Sequence, residues 1–188
     1  MCGIVGYVGK SQAAPILLVG LSKLEYRGYD SSGVAVYSDD HIEVVKAKGR
    51  LKVLSDMLDG GKNLPGTVGI GHTRWATHGE PSDINSHPHI SGDGRFAVVH
   101  NGIIENYLVL KNRLIEKGFH FVSETDTEVI AHLVEYYYKG DIMDTMRSLL
   151  NAMEGSYALG IIRADKPDEI MAVRKDSPLI VGLSDEGN

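Results

Sequence analysis

The chain has a single cysteine, Cys2, in 188 residues. No internal disulfide can form, so the fold must hold by packing, as is usual in a reducing compartment. Positive charge is the minority sign: 19 Lys and Arg stand against 25 Asp and Glu, for a net charge of −6. With no local basic cluster either, a binder of the phosphate backbone is excluded and no nucleic-acid partner is expected. Long apolar runs are missing as well. Ala13 to Leu21 is interrupted by Pro15 and Gly20 and is far too short to span a bilayer. It has no basic region before it and no small-residue cleavage site after it, so it does not read as a signal peptide. We expect no membrane association and a cytoplasmic location. Internal repeats and low-complexity segments are absent too. What remains is ordinary globular material, 43% hydrophobic and 23% charged with 22 glycines, enough for one domain over residues 1–188 with a proper core.

Hydrophobic periodicity predicts the elements. Cys2 to Val8 reads as a buried strand and Ala13 to Tyr26 as a helix. Gly33 to Tyr37 and Ile42 to Ala47 flank Ser38-Asp39-Asp40-His41 as a hairpin. A short helix from Leu51 to Leu58 precedes a glycine-rich strand, Thr67 to Thr73, whose glycines imply a close neighbour against the backbone. Trp75 to Gly94, without periodicity, reads as a long loop, and loops of that length are usually functional or mobile. Arg95 to His100 is the next strand. Helices follow at Asn106 to Lys117, behind the capping box Thr125-Asp126-Thr127-Glu128, and at Ile142 to Met153. Three strand-like runs close the chain: Tyr157 to Arg163, Ile170 to Arg174 and Leu179 to Leu183. Strands at both ends with helices between, not alternating, give an α+β fold with sheets packed on each other.

Cys2 stands directly behind the initiator. Removal of Met1 would put a thiol, of pKa about 8.5, and a free α-amine, of pKa about 7.7–8.0, on one residue, a nucleophile with its own base. A free cysteine in a first strand is equally a small buried hydrophobe. His72-Thr73-Arg74-Trp75-Ala76-Thr77-His78-Gly79-Glu80-Pro81 ends a strand with an arginine fork beside hydroxyl and imidazole groups, a receptor for a carboxylate, or else a solvated strand end anchored by Trp75. Asn101-Gly102 can present an amide and a backbone N–H to an oxyanion, or form a common turn. Asp126, in the first turn of a helix, suits either the helix dipole or a substrate ammonium. Arg27-Gly28-Tyr29-Asp30-Ser31 reads as a tight turn able to brace the N-terminus. His72, His78, His87, His89 and His100 match no zinc spacing, and Gly66 to Gly71 lacks the lysine of a phosphate loop, so neither metal nor cofactor is expected.

The order of these motifs is more specific than any one of them. Met1-Cys2-Gly3-Ile4, Leu24 to Ser31, His72 to Pro81, Val98 to Asn106 and Ser123 to Val129 together resemble the N-terminal glutaminase domain of the glutamine:fructose-6-phosphate amidotransferases, within the class II glutamine amidotransferases. The resemblance covers nearly the whole chain. It implies a four-layer αββα N-terminal-nucleophile (Ntn) hydrolase fold and hydrolysis of L-glutamine to glutamate and ammonia through a γ-glutamyl thioester. Cys2 is implied as nucleophile and its α-amine as base. Asn101 and Gly102 would hold the oxyanion, Arg74, Thr77 and His78 the α-carboxylate, and Asp126 the α-ammonium. Trp75 would open a mobile lid, with Arg27 and Gly28 in support. It further implies a sugar isomerase domain, binding fructose 6-phosphate, beyond this chain, and a homodimeric full-length protein. With Met1 retained, the base is locked in a peptide bond; a non-catalytic glutamine or sugar-phosphate sensing module is then the alternative.

Overall fold

The computed structural model describes residues 2–76 and 79–183. Four strands form one antiparallel sheet: β1 (Gly3–Val8), β2 (Ser31–Ser38), β3 (His41–Lys48) and β4 (Val68–Arg74), in the order β1-β4-β2-β3. The second sheet has the order β5-β6-β7-β8, from β5 (His89–Ile90), β6 (Phe96–Ile104), β7 (Gly155–Arg163) and β8 (Ile170–Lys175), again antiparallel throughout. Helices α1 (Ala13–Ser22) and α2 (Leu51–Met57) lie outside the first sheet. Helices α3 (Tyr107–Ile115), α4 (Thr127–Tyr137) and α5 (Ile142–Ala152) lie outside the second. Among the described residues no helix is long and apolar enough to cross a membrane.

Three apolar clusters account for four layers. Leu17, Leu21, Leu51 and Leu54 pack against Val34 and Val36 between the first helical layer and its sheet. Val68 and Ile70 meet Ala97, Val99 and Ile162 between the sheets. Val98, Ile104 and Leu159 meet Val129, Ile130 and Leu149 on the far side. Leu17 and Leu21 are fully buried, each contributing about 1.5–3 kcal/mol by leaving water. They fit because β4 carries glycine where it meets them. A Cβ at Gly69 would sit 3.0 Å from Leu17 Cδ1, and one at Gly71 would sit 2.9 Å from Leu21 Cδ1. The glycine pattern read from sequence thus corresponds to an overlying helix.

The hairpin turns on Asp39 and Asp40, both at positive φ (47° and 65°), as a tight two-residue turn requires and a short polar side chain tolerates. Other boundaries move. The first helix stops at Ser22, because Lys23 and Leu24 bond back three residues to Gly20 and Leu21 and tighten the chain into a short 3₁₀ turn at Glu25–Arg27. The long loop contains a two-residue strand, His89–Ile90, paired with Val98 and Ala97. Thr125 Oγ1 accepts from the Glu128 N–H (3.3 Å), but Glu128 does not return the favour. Its carboxylate instead accepts from the Val122 and Ser123 N–H groups at 2.8 and 2.7 Å, so half of the capping box is spent on holding the preceding loop. Leu179 to Leu183 is not a strand: Asp176, at φ 60°, bends the chain out of the ladder, and Ile180 is 92% exposed.

Gly33 on β2 lies so close to the His87 carbonyl oxygen that a Cβ there would collide with it, and would stand 3.0 Å from the Val45 oxygen. Gly33→Ala should therefore destabilise the chain by about 1–3 kcal/mol in urea denaturation, since backbone must yield. A change within about 0.5 kcal/mol, typical of an ordinary surface position, would contradict this packing.

Candidate active site

Strand alternation assembles the site. On β4, Val68 and Ile70 face the opposing sheet, so His72 and Arg74 continue that face. On β6, Ala97 and Val99 do so, and Asn101 follows. On β1, Ile4 packs between the sheets, and Cys2 shares its face one step beyond the ladder, whose last pair is Gly3 with Thr73. Apolar residues fill the gap between the sheets until its end, where four polar side chains succeed them. There a cavity of about 570 Å³ opens, lined among others by Cys2, Arg27, Arg74, Trp75, Asn101, Gly102 and Asp126. Seven of the expected site residues are thus brought together. Thr77 and His78 lie outside the described residues. Gly28 does not line the cavity; a Cβ there would press on the Arg74 carbonyl at 2.7 Å, so its place is behind the strand end.

The thiol is partly buried. Its Sγ accepts from the Trp75 backbone N–H at 3.2 Å, and lies 3.6 Å from the Trp75 carbonyl oxygen. Burial pushes the thiol pKa up, the Trp75 N–H opposes this, and the net shift is upward. At neutral pH the group therefore rests as a thiol and needs a base before it can attack. Trp75 itself is no core anchor: the residue is 49% exposed, and its ring meets that of Tyr29 edge-on at 5.5 Å. The turn before β2 braces this corner, because the Asp30 carboxylate accepts the Ala76 N–H while its own N–H donates to Arg74 O at 3.2 Å. The Arg74 guanidinium, buried beside these groups, donates from Nη2 to Gly79 O at 3.0 Å.

Asn101-Gly102 is not a turn. Both residues belong to β6, paired with Ala158 and Tyr157 of β7. Gly102 is required for two reasons: its φ of 131° is rarely adopted by L side chains, and a Cβ would strike the Ser156 carbonyl oxygen. Asn101 Nδ2 donates to the Cys2 carbonyl at 3.3 Å, tying the oxyanion candidate to the nucleophile's own backbone. Asp126 sits at the start of α4 with its Oδ2 accepting the Ile104 N–H at 2.9 Å. Sequence reasoning missed the Trp75 N–H, which leaves no side-chain signature, and the bracing carboxylate of Asp30, whose motif was visible but whose partner was not.

Four of the histidines gather behind the cavity. His72 and His87 stack at 4.1 Å, and His87 meets His89 edge-on at 5.1 Å. His100 Nδ1 pairs with Thr127 Oγ1 at 2.9 Å. Among the described residues no group of three His, Cys, Asp or Glu is placed to hold a metal ion. Burial pushes His72 down to about 3 and His100 to about 4, and carries His87 and His89 well below the usual range. All four are neutral at pH 7.

Two stacked antiparallel sheets between helical layers, with a cysteine heading the first strand at the mouth of the gap, define the Ntn-hydrolase architecture. A family model described as the glutamine amidotransferase domain matches residues 72–187. The chain belongs to the glutamine amidotransferase family and is an enzyme domain of it. It is 62% identical over its full 188 residues to the glutamine--fructose-6-phosphate aminotransferase [isomerizing] of Caldanaerobacter subterraneus subsp. tengcongensis, covering 31% of that protein. Against the enzyme of the same name from Thermus thermophilus it is 53% identical, again over 31% of the relative. The chain therefore spans about a third of the curated relatives it matches. Among solved structures, the glutamine phosphoribosylpyrophosphate amidotransferase of B. subtilis superposes with a TM-score of 0.75 at 27% identity, covering 87% of this chain and 35% of that one.

The buried histidines make the stability of the fold depend on pH. Their folded pKa values lie below the unfolded value of about 6.5, so the unfolded chain takes up protons first and stability falls as pH drops below that value. Between pH 8 and 5, His72 and His100 should each remove about 2 kcal/mol, with little of that loss falling between pH 8 and 7. Urea midpoints measured from pH 8 to 5 check this; a flat profile would show that the rings are not held neutral.

Proposed function

We propose that this chain, once Met1 is removed, hydrolyses L-glutamine to glutamate and ammonia through a γ-glutamyl thioester on Cys2. The observation that carries the reading is the convergence of Cys2, Asn101, Arg74 and Asp126 on one cavity, with Asn101 Nδ2 bonded 3.3 Å from the Cys2 carbonyl. Substrate binds by its amino-acid end: Arg74, aided by Thr77 and His78, takes the α-carboxylate, and Asp126 takes the α-ammonium. These charges orient the side-chain amide toward Sγ. The α-amine of Cys2, directly or through a water, accepts the thiol proton as sulfur attacks the amide carbon. The carbonyl π electrons move to oxygen. That oxyanion is met by the second Asn101 Nδ2 hydrogen and the Gly102 N–H, each worth about 2.7–4 kcal/mol in this role.

Collapse of the intermediate expels ammonia, protonated by the amine that had taken up the thiol proton. Water then attacks the thioester by the same route, and glutamate leaves as the thiol re-forms. The segment that opens with Trp75 closes over bound glutamine and keeps bulk water from the first step. Arg27 and Gly28 support the strand end that carries Arg74 and Trp75.

In the longer protein of which this chain would be the first domain, 1–188, we propose that the ammonia serves an isomerase domain that binds fructose 6-phosphate and yields glucosamine 6-phosphate. That protein would act as a cytoplasmic homodimer. The similarity to the isomerizing aminotransferases over the whole of this chain supports the aminotransferase part of that assignment. No cofactor enters the glutaminase step, since thiol, amine and water supply all the protons and bonds it needs.

The test is glutamate release by the chain beginning at Cys2 and by its Cys2→Ala variant. Cys2→Ala should lose activity by at least about 10³-fold while still binding glutamine. Undiminished turnover would remove Cys2 as nucleophile, and binding without turnover in the wild type would favour the sensing module.

A further inference from the structure

We propose that His72 is a positioning residue for the glutaminase step, one that fixes the Asn101 amide so that its N–H₂ face, and not its oxygen, is turned toward Cys2. The proposal rests on the glutaminase reading and adds a residue to it. His72 does not line the cavity and touches no substrate; it acts through Asn101.

Two backbone carbonyls decide the geometry. His72 Nε2 lies 2.9 Å from Asn101 Oδ1 and 3.0 Å from the His100 carbonyl oxygen. A carbonyl oxygen only accepts, so Nε2 must carry the hydrogen, and it is shared between the two oxygens. At the other end of the amide, Nδ2 meets the Cys2 carbonyl oxygen at 3.3 Å, which also demands a donor. Rotating the amide by half a turn would set oxygen against the Cys2 oxygen, and would set a nitrogen donor against an Nε2 already occupied by its own hydrogen. Both ends would be lost. The orientation needed at the reacting centre is therefore the one that the surrounding oxygens enforce, provided His72 stays in its Nε2–H form.

Three further features keep it there. Nδ1 of His72 is buried with no hydrogen-bond partner among the described residues, so a bare lone pair is tolerated at that nitrogen and an N–H would be stranded. The ring is stacked on His87 at 4.1 Å and an interplanar angle of 19°, which fixes its plane. His87 is itself held, because its Nδ1 accepts the His100 N–H at 3.3 Å. The strands fix the rest: His72 pairs with Ile4 on one side and Gly33 on the other, so it cannot move away from Asn101 without breaking the β1–β4–β2 ladder. An imidazole held in this way donates throughout the neutral range without exchanging protons with the reaction.

The test compares His72→Leu, which removes the donor, with His72→Gln, whose amide nitrogen restores one, in the full chain beginning at Cys2. His72→Leu should lower kcat for glutamine about 10–100-fold with KM within about threefold, less than outright loss of an oxyanion donor. His72→Gln should recover most of that loss with the wild-type pH profile. An aldehyde analogue of glutamine, which forms a tetrahedral adduct with Cys2, should bind His72→Leu more weakly by the same factor as kcat falls, while glutamate binds unchanged. Unaltered kcat, a rise confined to KM, or equal damage in the Leu and Gln variants would overturn the proposal. Should His72→Leu fail to fold, ¹⁵N shifts of the wild-type ring decide: a protonated Nε2 and bare Nδ1 from pH 5 to 8 are required, and an Nδ1–H form overturns it. A wild-type chain inert toward glutamine would overturn the glutaminase reading and this inference with it; an active wild type with a fully active His72→Leu would overturn this inference alone.

Discussion

The pairing of β1 with β4 is the constraint on which the rest depends. Six residue pairs, from Gly3 with Thr73 to Val8 with Val68, set the register of the N-terminal strand. Because side chains alternate along a strand, a slip of one residue would turn Cys2 to the helical layer and set Gly3 on the face that Cys2 now holds. In the observed register the thiol reaches the Trp75 N–H just past the end of β4, and the Cys2 carbonyl reaches Asn101 across the gap between the sheets. The strand is therefore the positioning device for the nucleophile. Short glycines on β4, open to Leu17 and Leu21, let a helix clamp that strand from behind.

The polar end of the intersheet layer is a trade between stability and function. Apolar side chains fill the gap as far as Ile4 and Ile70, and a cluster of neutral histidines and hydroxyls then takes over beside the cavity. Burying imidazoles lowers their affinity for protons and makes the chain acid-sensitive. In return the site has fixed, uncharged donors and acceptors at its back, behind the Arg74 and Asp126 side chains that line the cavity.

Much of this was legible in the sequence. The strands, their hairpin, the helices and the sheet-on-sheet arrangement follow from periodicity and turn chemistry, and the ordered motifs pointed to Cys2, Arg74, Asn101, Gly102 and Asp126. The misreadings share a cause in non-local pairing. Asn101-Gly102 has the composition of a turn, yet β7 supplies Ala158 and Tyr157 as partners and holds it extended. His89–Ile90 is too short to show a period, and becomes a strand only because β6 lies beside it. Leu179 to Leu183 has strand-like composition but leaves the ladder at Asp176. Backbone donors such as the Trp75 N–H, and the tautomer of His72, have no sequence signature and emerge only from packing.

The central claim is that Cys2 is a nucleophile whose base is its own α-amine. It is tested most directly by acid-quenching the chain with glutamine and measuring intact mass, once with a preparation that begins at Cys2 and once with one that retains Met1. A γ-glutamyl adduct on Cys2 in the first and none in the second is the predicted result. Equal adduct in both would contradict the role of the amine, and glutamate formed with the adduct on another residue would contradict the role of the thiol.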